Sequence, residues 1–177
     1  MKLNKLFILV SLLQIQSISL EEYLDYKSPF HPTVSQKGMV VSQNIESSII
    51  GAQILGAGGN AVDAAVAVGF SLAVTLPRAG SLGGGGFMLI YIKEKKELFS
   101  IDYRSRSSLN SNLEDLFGSK LPQQIQENDY DVTKYDYKAS AVPGTVYGLL
   151  EAHEKFGMLP LSEVLQPAID QAKNGII

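Results

Sequence analysis

The chain has 177 residues, of which 45% are hydrophobic and 19% charged, and its formal net charge is −3 at pH 7. This balance is typical of one soluble domain with a real hydrophobic core, and it excludes the strongly basic surface that nucleic-acid binding requires. The sequence has no cysteine and only two histidines, which excludes disulfides, thiolate metal sites and cysteine nucleophiles. Any covalent chemistry must therefore use a hydroxyl, a carboxylate or a lysine.

Residues 1–19 have the features of a secretory signal peptide. Two lysines precede a short apolar stretch, and small residues occupy the positions before a cleavage site that follows Ser19. An amphipathic helix and an uncleaved membrane anchor are the alternatives, but two glutamines interrupt the apolar run that a membrane span needs. We expect an exported protein, periplasmic or extracellular, with an extended lead-in over residues 20–37.

A strand and a helix are predicted next. Residues 38–42 are rich in valine and resemble a strand. From Asn44 onward the isoleucines recur four residues apart, which is helical spacing, and the glycine pair at 58–59 is a natural stop.

A second helix is predicted over Ala61–Thr75. Asn60 is a typical N-cap, and Asp63 follows it three residues later as in a capping box. The helix is apolar on nearly every side, which indicates burial. It is rich in alanine, has Asp63 in its first turn and is shorter than a membrane span, so a buried core helix is favoured and no stable membrane span is expected.

Four consecutive glycines, at positions 83–86, precede a strand rather than a helix. A glycine loop that binds phosphate opens a helix and carries a Lys-Ser/Thr pair, whereas Phe87 follows here, so a nucleotide site is not expected. Four glycines do allow two backbones to approach closely and to adopt positive φ. The segment therefore predicts a tight passage beneath or beside a site.

Two β-rich runs, Phe87–Ile92 and residues 98–103, flank a short charged linker and predict a hairpin. Arg104 follows the second run. A guanidinium at such a position can bind a carboxylate bidentately. A surface ion pair with Asp102 is the simpler interpretation of the spacing.

The remainder of the chain predicts a loop and two helices. Residues 105–140 are rich in polar side chains and indicate a surface loop. Thr145–Phe156 is predicted as a helix that Gly157 ends. Residues 161–173 are also helical in pattern, and Pro167 is expected to break them into two pieces.

Known catalytic arrangements are not found in the sequence. Ser81 lies between glycines as in a nucleophile elbow, but that motif needs a strand before the serine and a helix after it, the reverse of the order here. His31 and His153 have no partner at metal-ligand spacing, so we predict no metal site and no cofactor site. Glu151 and Glu154 lie three apart on one predicted helix, which is typical of a solvated face.

Four motifs, in order and spacing, resemble those of the γ-glutamyltranspeptidase family, also known as γ-glutamyltransferase or glutathione hydrolase. They lie at residues 58–67, 83–88, 101–104 and 142–146. The resemblance extends over residues 38–177 and implies the N-terminal part of a large-subunit domain. The implied fold class is α+β, the αββα sandwich of the N-terminal-nucleophile hydrolases, present only in part.

The resemblance also implies a reaction, the transfer of a γ-glutamyl group from glutathione or another γ-glutamyl compound to water or an amino acid. In this family a precursor cleaves itself and exposes a threonine, whose α-amino group activates its own hydroxyl to form an acyl-enzyme. Arg104 matches the arginine that holds the α-carboxylate of the glutamyl group. The resemblance thus favours Arg104 as a substrate-binding residue over the surface ion pair.

The sequence departs from the family pattern in two respects. Ser105 follows Arg104 where the family commonly has an acidic residue. None of the threonines matches the nucleophile segment, so we expect the nucleophile to lie beyond this chain and the chain alone to be inactive. The threonines are Thr33, Thr75, Thr133 and Thr145.

The expected partners are a small γ-glutamyl substrate, the remainder of the large subunit and the small subunit. No nucleic acid is expected. The alternative function is that of a non-catalytic secreted fragment, which binds γ-glutamyl compounds or a partner subunit without turning them over.

Overall fold

The computed structural model describes residues 34–79, 81–112, 114, 117, 118, 120, 122–126 and 137–176. The chain divides into two compact units, Met1–Gln36 and Lys37–Ile177. Only residues 34–36 of the first unit are described, and the fold below is that of the second. The predicted signal peptide at 1–19 and most of the predicted lead-in at 20–37 lie outside the described residues.

The second unit contains a β-hairpin and α-helices on one side of it. Its helices and strands are, in chain order, α1 (Ile45–Gly56), α2 (Ala61–Thr75), β1 (Phe87–Ile92), β2 (Glu97–Asp102), α3 (Thr145–Phe156) and α4 (Leu161–Asn174), with short 3-10 turns at Pro122–Gln124 and Tyr137–Ala139. The predicted hairpin and the helices that the sequence pattern indicates are confirmed, with ends close to those expected.

Helix α2 lies at the centre of the packing, in contact with α1, α3 and α4. Val66 and Ala67 of this helix are buried, and Gly69 faces Leu149 of α3 so closely that an added Cβ would lie 2.9 Å from its Cδ1. Small residues therefore let the neighbouring helices approach, and the predicted burial of α2 is confirmed. No helix of the described residues is both long and apolar enough to cross a membrane.

The hairpin buries one face and exposes the other. Strands β1 and β2 are antiparallel, and Ile90 pairs with Phe99 and Met88 with Ile101 on the face beneath the helices. The opposite face, here called the outer face, is also apolar, with side chains 63 to 72% exposed. It consists of Phe87, Leu89, Tyr91 and Leu98. Apolar residues on both faces are typical of a sheet that is covered on both sides.

Two predictions from the sequence are wrong, and the first concerns residues 38–42, which form no strand. The sheet of the described residues contains β1 and β2 alone, so this segment has no strand beside it with which to pair. Its Val40 side chain instead packs on the core, close to Gly51 of α1. Hydrophobic contact with a helix replaces the backbone pairing that the valines suggested.

The second wrong prediction concerns Pro167, which lies inside one continuous helix and does not break it. Proline removes the hydrogen bond to the carbonyl four residues earlier. Val164 and Ala168 on either side of it are buried, in a helix that packs against α2. Tertiary packing on both sides of the proline keeps the two halves of α4 aligned.

A buried carboxylate joins the N-terminus of α2 to the turn between α3 and α4. Asp63 is fully buried and accepts hydrogen bonds from the backbone N–H groups of Asn60 at 2.9 Å, Met158 at 3.1 Å and Leu159 at 3.4 Å. His153 Nε2 lies 3.5 Å from Asp63 Oδ1 and donates to the Leu159 carbonyl at 2.9 Å. His153 is therefore a packing residue that closes the same turn.

Candidate functional site

Arg104 lies two residues after the end of β2, at the edge of an open cleft. The cleft has a volume of about 340 Å³, and Arg104, Arg106, Tyr147 and Glu151 are among the side chains that line it. Both arginine side chains are exposed. The cleft thus brings the substrate-binding residue predicted from the sequence together with side chains from helix α3.

The surface ion pair between Arg104 and Asp102 is not formed. Asp102 Oδ1 accepts a hydrogen bond from the backbone N–H of Arg104 at 2.9 Å, an arrangement common in turns. Within the described part of the chain, an ion pair joins Lys155 to Glu151 and His153 Nε2 lies 3.5 Å from Asp63 Oδ1, and neither contact includes the Arg104 guanidinium. The guanidinium has five donors, and none of them is in an ion pair with a described residue.

Glycines from two distant parts of the chain pack against Tyr103, the residue before Arg104. A Cβ added at Gly86 would lie 2.8 Å from ring atom Cε2, and one added at Gly148 would overlap the ring. A Cβ at Gly144 would overlap the backbone oxygen of Tyr103, and one at Gly85 would overlap the backbone nitrogen of Ser105. Only glycine fits at these four positions, so the backbone on both sides of Arg104 is closely packed. The predicted tight passage is confirmed.

Backbone hydrogen bonds connect the same parts of the molecule. Gly86 and Tyr103 exchange a pair of them, at 3.2 Å and 3.0 Å. The Gly84 carbonyl accepts from the N–H groups of Gly144 at 2.8 Å and Thr145 at 3.1 Å. The glycine run therefore satisfies donors at the start of α3 and ties that helix to the segment that bears Arg104.

The charged and titratable side chains around the cleft have distinct environments. Burial raises the pKa of Tyr103 above its usual 10.0. A hydrogen bond from Lys155, with Nζ 2.5 Å from Oε1, lowers the pKa of Glu151. Glu151 was expected on a solvated face but is half-buried beside the cleft, whereas Glu154 is exposed. The negative charge of Glu151 is already balanced by Lys155 and not by an arginine.

The described threonines do not have the environment of a nucleophile. Thr75 Oγ1 lies 2.9 Å from a serine hydroxyl of α1, within the interface between α1 and α2. Thr145 begins α3, as expected. Thr33, Thr133 and His31 lie outside the described residues. Over the ranges that the structure describes, no group of three or more His, Asp or Glu side chains could hold a metal ion.

Sequence reasoning missed several features of the cleft. Arg106 carried a usable signal, because residues two apart in an extended segment face the same side and Arg104 was already a candidate. Gly144 and Gly148 gave no local signal, since their contacts with Tyr103 join residues more than forty positions apart in the chain. Tyr147 and Glu151 reach the cleft only because those two glycines bring α3 against β2.

Comparisons with known proteins find one family model and several similar proteins. A model of the family described as Gamma-glutamyltranspeptidase matches residues 47–177. Glutathione hydrolase proenzyme from Escherichia coli is 45% identical over 148 residues, which cover 84% of this chain and 24% of that protein. The protein of the same name from Pseudomonas aeruginosa is 46% identical over 138 residues, 78% of this chain and 24% of that protein.

A solved structure agrees with the sequence comparisons. The crystal structure of Helicobacter pylori gamma-glutamyltranspeptidase superimposes with a TM-score of 0.70 at 36% identity, over 82% of this chain and 40% of that one. The chain thus spans about a quarter of the length of the curated relatives it matches.

Proposed function

Because the chain belongs to the γ-glutamyltranspeptidase family, we propose that it is the N-terminal portion of a γ-glutamyl transferase or hydrolase that acts on glutathione and other γ-glutamyl compounds. The predicted fold class is confirmed, since the mixed helix and sheet arrangement is part of the αββα sandwich of the N-terminal-nucleophile hydrolases. We assign the complete reaction to a longer polypeptide or assembly that includes these residues.

The proposed role of Arg104 is to bind the α-carboxylate of the γ-glutamyl group. The observation that carries this proposal is an exposed guanidinium without an ion-pair partner among the described residues, on a backbone held by glycines from two directions. A planar guanidinium can bind both oxygens of a carboxylate at once, which fixes orientation as well as position. A closely packed backbone helps to keep the reacting carbonyl in one place, and such positioning lowers the barrier to attack.

The proposed chemistry is acyl transfer through a threonine supplied by polypeptide outside these residues. The threonine hydroxyl attacks the γ-carbonyl while its own α-amino group takes the proton, the amine of the leaving portion departs with a proton, and a γ-glutamyl ester remains. Water or the amino group of an acceptor then attacks that ester and regenerates the hydroxyl. In this scheme the residues described here bind and orient the substrate, and the chain alone is inactive.

The outer face of the hairpin supports the proposal that further polypeptide packs on this chain. Its four apolar side chains are largely exposed, and two sheets that pack face to face bury such residues between them. We propose the remainder of the large subunit and the small subunit as the partners that cover it. We also propose that the protein is exported and acts in the periplasm or outside the cell.

Assays with γ-glutamyl-p-nitroanilide test the proposed function. The chain is purified alone and also after co-expression with the part of the Escherichia coli proenzyme that lies beyond the matched residues. We expect release of p-nitroaniline from the co-expressed assembly and none from the chain alone. Turnover by the 177 residues alone would place the nucleophile within this chain and contradict the account, and binding without turnover by the assembly would favour the non-catalytic alternative.

The role of Arg104 is tested in the active assembly with Arg104→Ala and Arg104→Lys. Arg104 is exposed in this chain, and we propose that substrate and the rest of the assembly cover it. Loss of a charge-paired contact buried in that way costs about 2–5 kcal/mol, so kcat/KM should fall by at least tenfold for alanine and by less for lysine, which keeps the charge but not the bidentate geometry. Arg78→Ala removes an exposed arginine from the turn after α2 and serves as the control. An apparent substrate affinity unchanged in both Arg104 variants would exclude the carboxylate role.

A further inference from the structure

We propose that Arg106 is a second anion-binding residue in the same cleft, and that it selects γ-glutamyl compounds whose leaving portion carries a free carboxylate. The inference rests on the proposed function, because it takes Arg104 as the residue that binds the α-carboxylate. It adds a specificity determinant at a position where neither the family resemblance nor the sequence analysis assigned a role.

Arg104 and Arg106 present their side chains to the same space. Both line the cleft of about 340 Å³, whereas Ser105 between them does not. Residues two apart in an extended segment face the same side, but Tyr103 also lines the cleft, so it is the shared lining and not a strict alternation that places the two arginines together. Their Cα atoms are then about 6.6 Å apart, at roughly 3.3 Å per residue, so two guanidinium groups can contact different ends of one small molecule.

The backbone at Arg106 contacts the same segment, residues 142–144, that packs beside Arg104. Arg106 and Val142 exchange two backbone hydrogen bonds, at 3.2 Å and 2.7 Å. Two residues after Val142, Gly144 packs on the backbone of Tyr103. The spacing of the two arginines is thus set by one segment that contacts the chain on both sides of Ser105.

The charges near the cleft leave both guanidinium groups available. Asp102 accepts from the backbone N–H of Arg104, and Glu151 is paired with Lys155 at 2.5 Å. In the part of the chain that the structure describes, no carboxylate is paired with either arginine. Asp102 and Glu151 line the same cleft, but their carboxylates accept from the Arg104 backbone N–H and from Lys155, so each guanidinium group can bind one negative group of a ligand.

A γ-glutamyl peptide with a free C-terminal carboxylate has this chemistry. Its two carboxylates lie at opposite ends of a short chain, with the scissile amide between them. Arg104 would bind the α-carboxylate and Arg106 the C-terminal one. A compound that lacks the second carboxylate, such as a γ-glutamyl anilide, would use Arg104 alone. The second contact therefore alters the choice of substrate and leaves the chemical step unchanged.

Paired ligands that differ only in the second carboxylate test this inference. γ-Glutamylglycine and γ-glutamylglycinamide are titrated into the full-length chain by NMR, for the unsubstituted protein and for Arg106→Gln, Arg104→Gln and Arg78→Gln. Arg78→Gln is the matched control, because it removes the same charge from an exposed side chain outside the cleft. Far-UV circular dichroism checks that each variant keeps the fold.

We expect the unsubstituted chain to bind γ-glutamylglycine about fivefold more tightly than its amide, as for a partly exposed ion pair. Arg106→Gln should abolish that preference, and Arg104→Gln should abolish the binding of both ligands. Equal binding of the two ligands by the unsubstituted chain, or a preference that survives in Arg106→Gln, would overturn the inference while the role of Arg104 stands. Binding of both ligands that survives in Arg104→Gln would instead overturn the proposed role of Arg104, and the inference with it.

Discussion

The two ends of helix α3 are held by opposite means. At its N-terminal end, Gly144 and Gly148 press on Tyr103 so closely that no side-chain atom fits between them. At its C-terminal end, the buried carboxylate of Asp63 accepts hydrogen bonds from Met158 and Leu159 in the turn that follows. Stability should therefore fall when atoms are added at the N-terminal end and when atoms are removed at the C-terminal end. Only the N-terminal end borders the cleft.

The largest effect is expected at the C-terminal end, from Asp63→Ala. The substitution removes the Asp63 acceptor from the part-buried backbone N–H groups of Asn60, Met158 and Leu159, and with it the N3 carboxylate of the α2 capping box. Loss of one member of such a buried charged cluster costs about 3–5 kcal/mol. Urea unfolding followed by circular dichroism measures the change in unfolding free energy.

Glu46→Ala is the matched control for Asp63→Ala. Glu46 is also acidic and also lies in the first turn of a helix, but its side chain is exposed. Its removal should cost about 0.5 kcal/mol, the contribution of an exposed charge near a helix N-terminus. If the two substitutions changed the unfolding free energy equally, the turn between α3 and α4 would not depend on the carboxylate.

Part of this C-terminal end could be predicted from the sequence. Asn60 and Asp63 were identified as a capping pair because their spacing is local, and both halves of the capping box are present. The other contacts of Asp63, with residues 158 and 159, join positions 95 and 96 apart and follow from packing that no local pattern encodes. The sequence thus predicted the cap but not the connection to α4.

At the N-terminal end of α3, too, the sequence predicted local features but not contacts between distant residues. The glycine run at 83–86 predicted a close approach of two backbones, and the partner proved to be the segment around Arg104. Gly144 belongs to the family motif at residues 142–146, but no local pattern in the sequence indicated that Gly144 and Gly148 pack on Tyr103. In contrast, the valines of residues 38–42 suggested a strand, but the segment packs on α1 instead. Strand propensity depends on whether a neighbouring strand exists, and the sequence did not show that none does among the described residues.

An intermediate effect is expected from Gly148→Ala, which adds one methyl group at the N-terminal end. That methyl would overlap the Tyr103 ring, and overpacking of this kind costs about 1–3 kcal/mol. Because Tyr103 precedes Arg104, the variant should also lose affinity for γ-glutamyl ligands in the NMR titration. A loss of affinity without displacement of Tyr103 resonances would mean that the added methyl does not act on Arg104 through Tyr103.

Gly56→Ala controls for the general preference of helices for alanine. Gly56 ends α1, and an added Cβ there meets nothing within 4 Å, so the substitution should stabilise the protein by about 0.5–1 kcal/mol. A double-mutant cycle with Tyr103→Ala then isolates the contact itself. The cost of Gly148→Ala should fall but not vanish in Tyr103→Ala, because the Tyr103 Cβ, which the added methyl would also overlap, remains, and additive changes would mean that another neighbour opposes the methyl.

The smallest effect is expected from Tyr103→Phe, and it depends on pH. Burial raises the pKa of Tyr103 above 10.0, so the unfolded chain loses this proton first as the pH rises. Stability from the protonated ring is therefore fully present below pH 10.0 and is lost as the pH rises from there through the folded-state pKa. Phenylalanine does not titrate, and the other tyrosines contribute equally to both proteins. We measure the unfolding free energies of the original chain and of Tyr103→Phe in urea. Their difference should be constant at lower pH, and above pH 10.0 the original chain should lose stability relative to Tyr103→Phe. A difference that stays constant throughout would mean that the ring packs between the glycines while its hydroxyl remains as well hydrated as in the unfolded chain.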